Sequence, residues 1–410
     1  MSDEPGLRRP SIEVGLRRVP ELDPTPLPES DPRLAARIAD EIRATGPMTF
    51  ARFMDLALYD PELGYYSRSG ERGDARTGPG RRGDFLTAPE SHPIFGWAMA
   101  RHLESVWLAL DRPAPFVVRE HGAGTGALAA GILDGLRRAG SELLEAVRYQ
   151  AVDASPPRLA ALQERLDRLG LAEHLDAPDD LPTTGAILAN ELLDALPVHR
   201  VEGASHGGLL ERFVTVEPTA SGTSPSFATR LGRPSTPDLA ARLAAEEIAL
   251  QPGQPAEICL TLESWITDAA APLDRGELLL IDYGYPAAEL YDPERGSTLR
   301  AYHRHRVHAD PLVAVGRQDL TAHVDLTAAE RAAGATGLTP IGRTSQARFL
   351  AALETGELLV GLQTDPSTTL ESYLEARSAL ARMLDPRATG AFAVLAFGRD
   401  LAPEAIRGFG

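Results

Sequence analysis

The chain has 410 residues, 43% of them hydrophobic, and a formal net charge of −17 at pH 7. This acidic balance argues against binding to a nucleic-acid backbone, which requires a basic face. A single cysteine, Cys259, excludes an intrachain disulfide, and no apolar run is long enough to cross a bilayer. With no secretory signal or transit peptide visible, we expect a cytoplasmic, bacterial protein without membrane insertion.

The N-terminal third is predicted to be mostly helical. Residues 1–32 are proline-rich and charged, so they are expected to form a flexible tail. Residues 33–112 are expected to form a helical segment, with two short helices before Leu58 and a strong amphipathic helix after residue 91. On that helix Phe95 and Met99 lie along one apolar face. A polar loop rich in glycine and arginine separates the helices.

From Phe116 onward, strand-like and helix-like segments alternate. We predict strands at 116–120, 149–153, 186–190 and 277–282, and helices at 126–138 and 156–169. Such alternation is typical of an α/β fold with a mostly parallel sheet. Residues 113–410 are therefore assigned to one α/β core with inserted and C-terminal α+β elements, at about 203–250 and 296–386. Residues 217–237 are predicted to be a loop, and the run "GAFAVLAFG" a late core strand.

The first strand runs into a glycine loop, "REHGAGTG". Gly122, Gly124 and Gly126 are spaced more tightly than the G-x-G-x-x-G of dinucleotide-binding folds, and the chain has no lysine for a P-loop. Glu120 precedes the glycines and would repel a pyrophosphate. A carboxylate there favours a cationic ligand, and S-adenosylmethionine carries both a sulfonium and an ammonium group.

The next two predicted strand ends carry further polar residues. Asp153 follows "YQAV" and is placed to accept hydrogen bonds from ribose hydroxyls. Asn190 and Glu191 end the strand after that, and Asp194 follows one turn later. The alternative for Glu191 and Asp194 is stabilisation of a helix N-terminus, worth only ~0.3–1 kcal/mol.

Several longer stretches resemble the MidA-like family of methyltransferases, which includes the mitochondrial complex I assembly methyltransferase. The matching stretches follow the family's order and cover roughly residues 47–400: "DPELGYY", "GDFLTAPESHPIFG", "EHGAGTGALAAGIL", "ANELLDALPVHR", "IDYGY", "GSTLRAYHRH" and "GRQDLTAHVDLTA".

The resemblance implies a Rossmann-like core that binds S-adenosyl-L-methionine and methylates a protein side chain, plausibly arginine. It also implies a cofactor and substrate cleft lined by residues of two groups. The first comprises Gly83, Asp84, Phe85, Thr87 and Glu90, and the second Glu120, Gly122, Ala123, Gly124, Gly126, Asp153, Asn190 and Glu191. Departures from the family pattern, such as Ala347, Glu354 and Thr389, lie away from these motifs and leave substrate identity open.

Four residues are candidates for a catalytic role: Asn190, Glu191, Asp194 and His323. A protonated guanidinium needs carboxylates to orient it, which suits Glu191 and Asp194. His323 lies in "QDLTAHVDLT", whose alternation predicts a strand with one polar and one apolar face, so it faces either the cleft or solvent. The histidines of "YHRHRVH" lack a ligand-like partner, so no metal is expected.

Two other functions remain open from the sequence. One is a methyltransferase for a small molecule or peptide on the same scaffold. The other is a non-catalytic assembly factor that binds S-adenosylmethionine. The partner is accordingly a protein or peptide, with a small molecule as the alternative, and a homodimer is compatible with the sequence.

Overall fold

The computed structural model describes residues 27–68, 87–179, 181–217, 224–304 and 306–409. The predictions made for residues 1–26 and for Gly83, Asp84 and Phe85 lie outside these ranges. Within them, no helix has the length and apolar character needed to span a membrane.

Strands in the described residues are β1 Met48–Thr49, β2 Phe116–His121, β3 Val147–Val152, β4 Leu175–Asp176, β5 Thr183–Asn190, β6 His199–Gly203, β7 Leu209–Val216, β8 Phe227–Gly232, β9 Pro255–Ile258, β10 Leu273–Asp282, β11 Gly284–Tyr285, β12 Arg300–His303, β13 Arg306–His308, β14 Asp319–Thr321, β15 Val324–Asp325, β16 Thr339–Ser345 and β17 Ala393–Arg399.

The α-helices in the same ranges are α1 Pro32–Thr45, α2 Phe50–Tyr59, α3 Tyr65–Arg68, α4 Ala88–Ser91, α5 Ile94–Ala109, α6 Ala127–Ala139, α7 Leu143–Ala146, α8 Pro156–Leu169, α9 Asp238–Ala245, α10 Leu262–Ala270, α11 Ala287–Leu290, α12 Leu326–Ala335, α13 Gln346–Ala352, α14 Thr355–Thr364 and α15 Leu370–Leu384.

A seven-stranded sheet forms the centre of the molecule, in the order β16-β17-β10-β5-β2-β3-β4. The strands from β10 to β4 are parallel, whereas β17 runs antiparallel between β10 and β16. Helices cover both faces of this sheet, so the apolar side chains of its central strands are buried on both sides. The parallel strands β2, β3, β5 and β10 therefore end at one edge of the sheet, as the predicted α/β fold requires.

Smaller sheets lie outside this centre. One is ordered β1-β7-β6-β9, with β8 paired to β7, and it joins residues near the N-terminus to the middle of the chain. The prediction of a loop over 217–237 is wrong at Phe227–Gly232, because that segment pairs with β7 through six residues. The strand is half-exposed, so its sequence lacks the apolar run that would mark it.

Helix α5 is buried on more sides than its predicted single apolar face suggests. It packs so closely on α6 that a Cβ at Gly96 would lie 2.5 Å from the Cα of Gly131. Two glycines facing each other allow the helix backbones to approach, which explains the extensive burial.

A buried ion pair joins this helix to the sheet. The Nε2 of His102 lies 2.8 Å from the Oε2 of Glu277, and its Nδ1 lies 2.7 Å from the carbonyl of Arg407. Both side chains are fully buried, and the Glu277 charge and hydrogen bond raise the pKa of His102 against the opposing effect of burial.

Replacing His102 with alanine should lower the free energy of unfolding by about 3–5 kcal/mol, because the fully buried Glu277 carboxyl would lose the partner of its 2.8 Å hydrogen bond. Urea denaturation measures this loss. The control is Arg343→Gln, which breaks an exposed ion pair to Glu330 and should cost less than about 1 kcal/mol. Equal losses in the two variants would contradict the assigned role of the pair.

Candidate functional site

The glycine loop connects β2 to α6 at the sheet edge. Gly122, Gly124 and Gly126 have φ values of 71°, 54° and 76°, a left-handed conformation that favours glycine. A Cβ at Gly122 would meet Leu192 at 2.6 Å, and one at Gly126 would meet Leu162 at 2.5 Å. At Gly124 the nearest atom would be 3.9 Å away, so this glycine faces open space.

The neighbouring strand β3 holds the loop in place. The amides of Gly122 and Ala123 donate to the carbonyl of Val152, at 2.8 and 3.2 Å. The amide of Gly124 donates to the Oδ2 of Asp153 at 2.9 Å, and Ser155 donates to its Oδ1 at 2.8 Å. Asp153 is therefore fixed at the mouth of the loop, and each of its oxygens keeps a second lone pair for a ligand.

Glu120 lies beneath the loop and is only 4% exposed. The Tyr149 hydroxyl donates to its Oε2 at 2.5 Å. Burial raises the pKa of Glu120 to about 7, although the Tyr149 hydrogen bond opposes the shift. Since Asp153 and Glu90 raise this pKa further, the three acids produce a negative potential at the loop.

Asn190 and Glu191 mark the end of β5. Glu191 has a φ of 52°, rare for a residue with a side chain, and such strain costs about 1–3 kcal/mol. Its Oε1 accepts from the Ala88 amide at 3.1 Å and from the Asn190 amide group at 3.3 Å. The Oδ1 of Asn190 is buried and has no donor among the described residues. Burial raises the pKa of Glu191 to about 7.

Asp194 follows in a one-turn 3₁₀ helix, Leu193–Ala195, and is buried. This helix is only three residues long, with Asp194 in its first turn, so stabilisation of its N-terminus by Glu191 and Asp194 would contribute little. Burial raises the pKa of Asp194, and the hydrogen bond from the Tyr283 hydroxyl opposes this. Glu191 and Asp194 have no arginine ion pair among the described residues.

Asp282, at the end of β10, organises this turn and was not among the predicted site residues. Its Oδ2 accepts from the consecutive amides of Leu192, Leu193 and Asp194, at 3.1, 2.8 and 3.2 Å. The pKa of Asp282 is raised by burial and by the Asp194 charge. The strand-end position of Asp282 was visible in the sequence, whereas its partners 88 to 90 residues earlier were not.

Half-buried tyrosines surround Asp194. The pKa values of Tyr59, Tyr66, Tyr283 and Tyr302 are all raised, mainly by burial and in each case also by the Asp194 charge. The rings of Tyr59 and Tyr66 stack with centroids 5.5 Å apart. None of the four is among the predicted site residues, although Tyr66 and Tyr283 lie in the family stretches "DPELGYY" and "IDYGY". Tyr59 and Tyr66 thus form a stacked pair, and the Tyr283 hydroxyl donates to Asp194.

The structure places His323 beside Tyr283, with ring centroids 5.2 Å apart. Its Nδ1 is buried without a partner in the described part of the chain, and burial lowers the pKa of His323 to about 4. The predicted single strand around it is wrong. β14 and β15 are separate strands with His323 between them, and Asp319, Thr321 and Asp325 are buried. His323 is therefore neither on a strand nor on a solvated face.

Thr87 and Glu90 belong to the turn that precedes α5. The Thr87 hydroxyl caps α4 by accepting from the Glu90 amide at 3.4 Å. The Oε1 of Glu90 accepts from the Thr125 hydroxyl at 2.7 Å, which brings the turn against the glycine loop. The turn therefore approaches the same edge as Glu120, Asp153 and Glu191.

This edge fits a ligand with positive charge. The open side of Gly124 admits close approach to the backbone, and Glu120 and Asp153 supply negative charge there. The acceptor oxygens of Asn190, Glu191 and Asp194 lie at the adjacent strand end. This arrangement can hold a cationic donor on one side and a group with N–H bonds on the other.

Comparison with known proteins agrees with this geometry. Residues 98–344 match the family model of S-adenosyl-L-methionine-dependent methyltransferases. The chain belongs to this family. The matched region contains the glycine loop, Asp153, the Asn190–Asp194 turn and Asp282. The protein is therefore a methyltransferase of the MidA-like type, and S-adenosylmethionine is its cofactor.

Relatives extend the likeness over most of the chain. It is 30% identical over 353 residues to the protein arginine methyltransferase NDUFAF7 homolog of Drosophila melanogaster, with 78% of this chain and 75% of that protein covered. The human protein arginine methyltransferase NDUFAF7 is 28% identical, with 76% and 70% covered. A Burkholderia thailandensis structure bound to S-adenosyl-homocysteine has a TM-score of 0.79 and 35% identity, and covers 92% of this chain and 96% of that one.

Proposed function

We propose that this methyltransferase transfers a methyl group to a nitrogen of an arginine side chain in a protein substrate. The observation that carries the proposal is the set of acceptor oxygens at the end of β5. The Oδ1 of Asn190 lacks a donor among the described residues, and Glu191 and Asp194 lack an arginine ion pair there. A guanidinium provides both N–H donors and positive charge. Relatives named as protein arginine methyltransferases support the same substrate.

The acidic turn can orient the guanidinium and receive its proton. S-adenosylmethionine supplies an electrophilic methyl group when bound. As the new N–C bond forms and the S–C bond breaks, the nitrogen must lose a proton. A carboxylate whose pKa lies near neutrality can accept that proton at pH 7 and later release it to water, and Glu191 meets this condition. Asp194 provides a second carboxylate, and Asp282 fixes the turn on which both side chains lie.

The aromatic rings near Asp194 suit a planar cation. Guanidinium groups stack on aromatic faces, a contact worth about 0.5–2 kcal/mol depending on solvent exposure. Tyr59 and Tyr283 are near Asp194, so a substrate guanidinium could reach these rings and the carboxylates together. The guanidinium of Arg158 already lies over the Tyr66 ring, 4.8 Å from its centroid. His323, with its lowered pKa, is neutral at pH 7 and adds no positive charge to repel the substrate.

On the cofactor side, Glu120, the Gly122–Gly126 loop with Ala123, and Asp153 would hold the methyl donor. Glu120 favours its positive charges, Gly124 allows close approach of the backbone, and Asp153 offers oxygens for hydroxyl groups. Thr87 and Glu90 would act at the rim, through the turn on which they lie.

Replacing Gly124 with alanine should weaken S-adenosyl-homocysteine binding at least about tenfold, because the new methyl group would occupy the open face of the loop. Isothermal titration calorimetry measures this change. The matched control is Gly140→Ala at the end of α6, where φ is 60° and a Cβ would meet nothing within 4 Å, much as at Gly124, where the nearest atom is 3.9 Å away. Both variants should lose a similar stability of about 1–2 kcal/mol. Equal affinities for the ligand would contradict a cofactor site at Gly124.

The proposed substrate is tested by product analysis. The protein is incubated with methyl-labelled S-adenosylmethionine and a lysate of its own cells, and labelled protein is hydrolysed to amino acids. We expect label in methylated arginine, and far less of it after Glu191→Gln substitution. Label confined to small molecules, or to another amino acid, would contradict the proposal. Cofactor binding without any transfer would instead favour a non-catalytic assembly factor.

A further inference from the structure

A short turn, Thr87–Ser91, contacts both halves of the site. Its Ala88 amide donates to the Oε1 of Glu191 at 3.1 Å, on the side proposed for the acceptor. Its Glu90 carboxylate accepts from the hydroxyl of Thr125 at 2.7 Å, within the glycine loop. These bonds span 103 and 35 residues of chain, so they are tertiary contacts and not consequences of local helix geometry.

Local hydrogen bonds and burial hold the turn together. The Thr87 side chain caps its start, and the Ser91 hydroxyl donates to the Ala88 carbonyl at 2.8 Å. Ala88, Pro89 and Ser91 are buried, and the last two residues of the turn lead into the buried start of α5. A displacement of Glu90 would therefore move Ala88 with it.

Arg165 completes the contact with the glycine loop. Its guanidinium donates to the Thr125 hydroxyl at 3.2 Å and lies 3.5 Å from the Oε2 of Glu90. The Thr125 hydroxyl thus donates to a carboxylate and accepts from a guanidinium. Since Arg165 lies on α8, this one hydroxyl connects α4, the glycine loop and the helix after Asp153.

We propose that Glu90 is a positioning residue for cofactor binding: it holds the glycine loop through Thr125, and the Thr87–Ser91 turn couples that loop to Glu191. Glu90 acts through Thr125 and not by contact with the cofactor. The inference rests on the proposed cofactor site at the glycine loop. It assigns to residues 87–90 ("TAPE") the role of fixing the position of the cofactor side of the site relative to the substrate side.

The first test measures S-adenosyl-homocysteine affinity by calorimetry in Thr125→Val, Glu90→Ala and the double variant. Each single variant should bind about tenfold more weakly, as expected for the loss of one charge-assisted hydrogen bond. The double variant should bind no more weakly than Glu90→Ala alone, because the two residues act through one bond. Thr125→Ser and Glu90→Gln keep the hydroxyl and an acceptor oxygen, and should restore most of the affinity.

Full additivity of the two effects, or near wild-type affinity in Thr125→Val, would overturn the inference. Thermal unfolding of every variant shows whether a loss of affinity comes from a loss of folded protein. Should Thr125→Val not fold, the contrast between Glu90→Ala and Glu90→Gln decides alone, and equal affinities there would count against the inference. A wild-type protein that binds no S-adenosyl-homocysteine would instead contradict the cofactor site itself.

The coupling to Glu191 has a separate test. Ala88→Pro removes the amide that donates to Glu191, and proline is tolerated at the first position of a helix. Thr87 has φ −73° and ψ 161°, a conformation that suits a residue before proline. If the turn couples the two sides, this variant should also weaken S-adenosyl-homocysteine binding, by about threefold. Unchanged affinity in a folded Ala88→Pro protein would refute the coupling.

Discussion

The Glu191→Gln variant is expected to transfer methyl groups about 10²–10³-fold more slowly than the wild-type enzyme. Glutamine keeps an oxygen for the Ala88 and Asn190 donors, so the strained turn with φ 52° should persist. It removes the negative charge that would orient a guanidinium and the base that would receive its proton. The substitution therefore separates the chemical role of Glu191 from its structural one.

The rate of labelled methyl transfer measures this effect, with S-adenosyl-homocysteine affinity measured in parallel. A small change in affinity beside a large loss of rate would place Glu191 on the acceptor side. The control is Glu294→Gln, which changes an exposed carboxylate elsewhere on the surface. A Glu191→Gln rate close to the control would show that the charge has no part in transfer.

The sheet edge could be predicted from the sequence because parallel strands leave a strong signal. β2, β3, β5 and β10 each contain buried apolar residues, and each has a polar residue at its end or directly after it. Carboxyl ends of parallel strands meet at one edge, so the sequence alone brought Glu120, Asp153 and Glu191 together. Strand bounds differ from the predictions by only a few residues, because the glycine loop and the prolines punctuate the pattern.

Buried polar residues are the part that periodicity could not predict. In the sequence, Asp319 belongs to an alternating polar face, yet it is buried in the structure. The Tyr66 hydroxyl, 253 residues earlier in the chain, covers it and donates to it at 2.9 Å. Alternation shows which residues share a face, but not whether a distant partner covers that face. The role of Asp282 could not be predicted for the same reason, because its hydrogen-bond donors lie in the turn that follows β5.

Strand β8 and the two-residue strands could not be predicted from the sequence for a different reason. Short edge strands bury little apolar surface, so they lack a hydrophobic run and depend on pairing with a strand already formed. β1, for example, is only Met48–Thr49 and pairs with β7, more than 160 residues later. Only the three-dimensional arrangement supplies such a partner.

The affinity for S-adenosylmethionine is expected to rise steeply with pH and to level off above about pH 7. Burial raises the pKa of Glu120 to about 7, so the carboxyl group is largely neutral in weakly acidic solution. A cationic ligand binds the ionised form better, so binding should drive proton release from Glu120. At pH 5 only about 1% of the carboxyl is ionised, and affinity could fall by up to about 100-fold. Calorimetry between pH 5 and 8 measures the dependence.

Two substitutions test whether Glu120 is the titrating group. Glu120→Gln cannot ionise, so its affinity should be low and should lose most of the pH dependence. Tyr149→Phe removes the hydroxyl whose hydrogen bond lowers the pKa of Glu120, so its midpoint should move to higher pH than in the wild type. The ligand's sulfonium charge does not titrate, and its amino group stays protonated below about pH 8. A pH profile unchanged in both variants would assign the dependence to another group and remove Glu120 from the cofactor site.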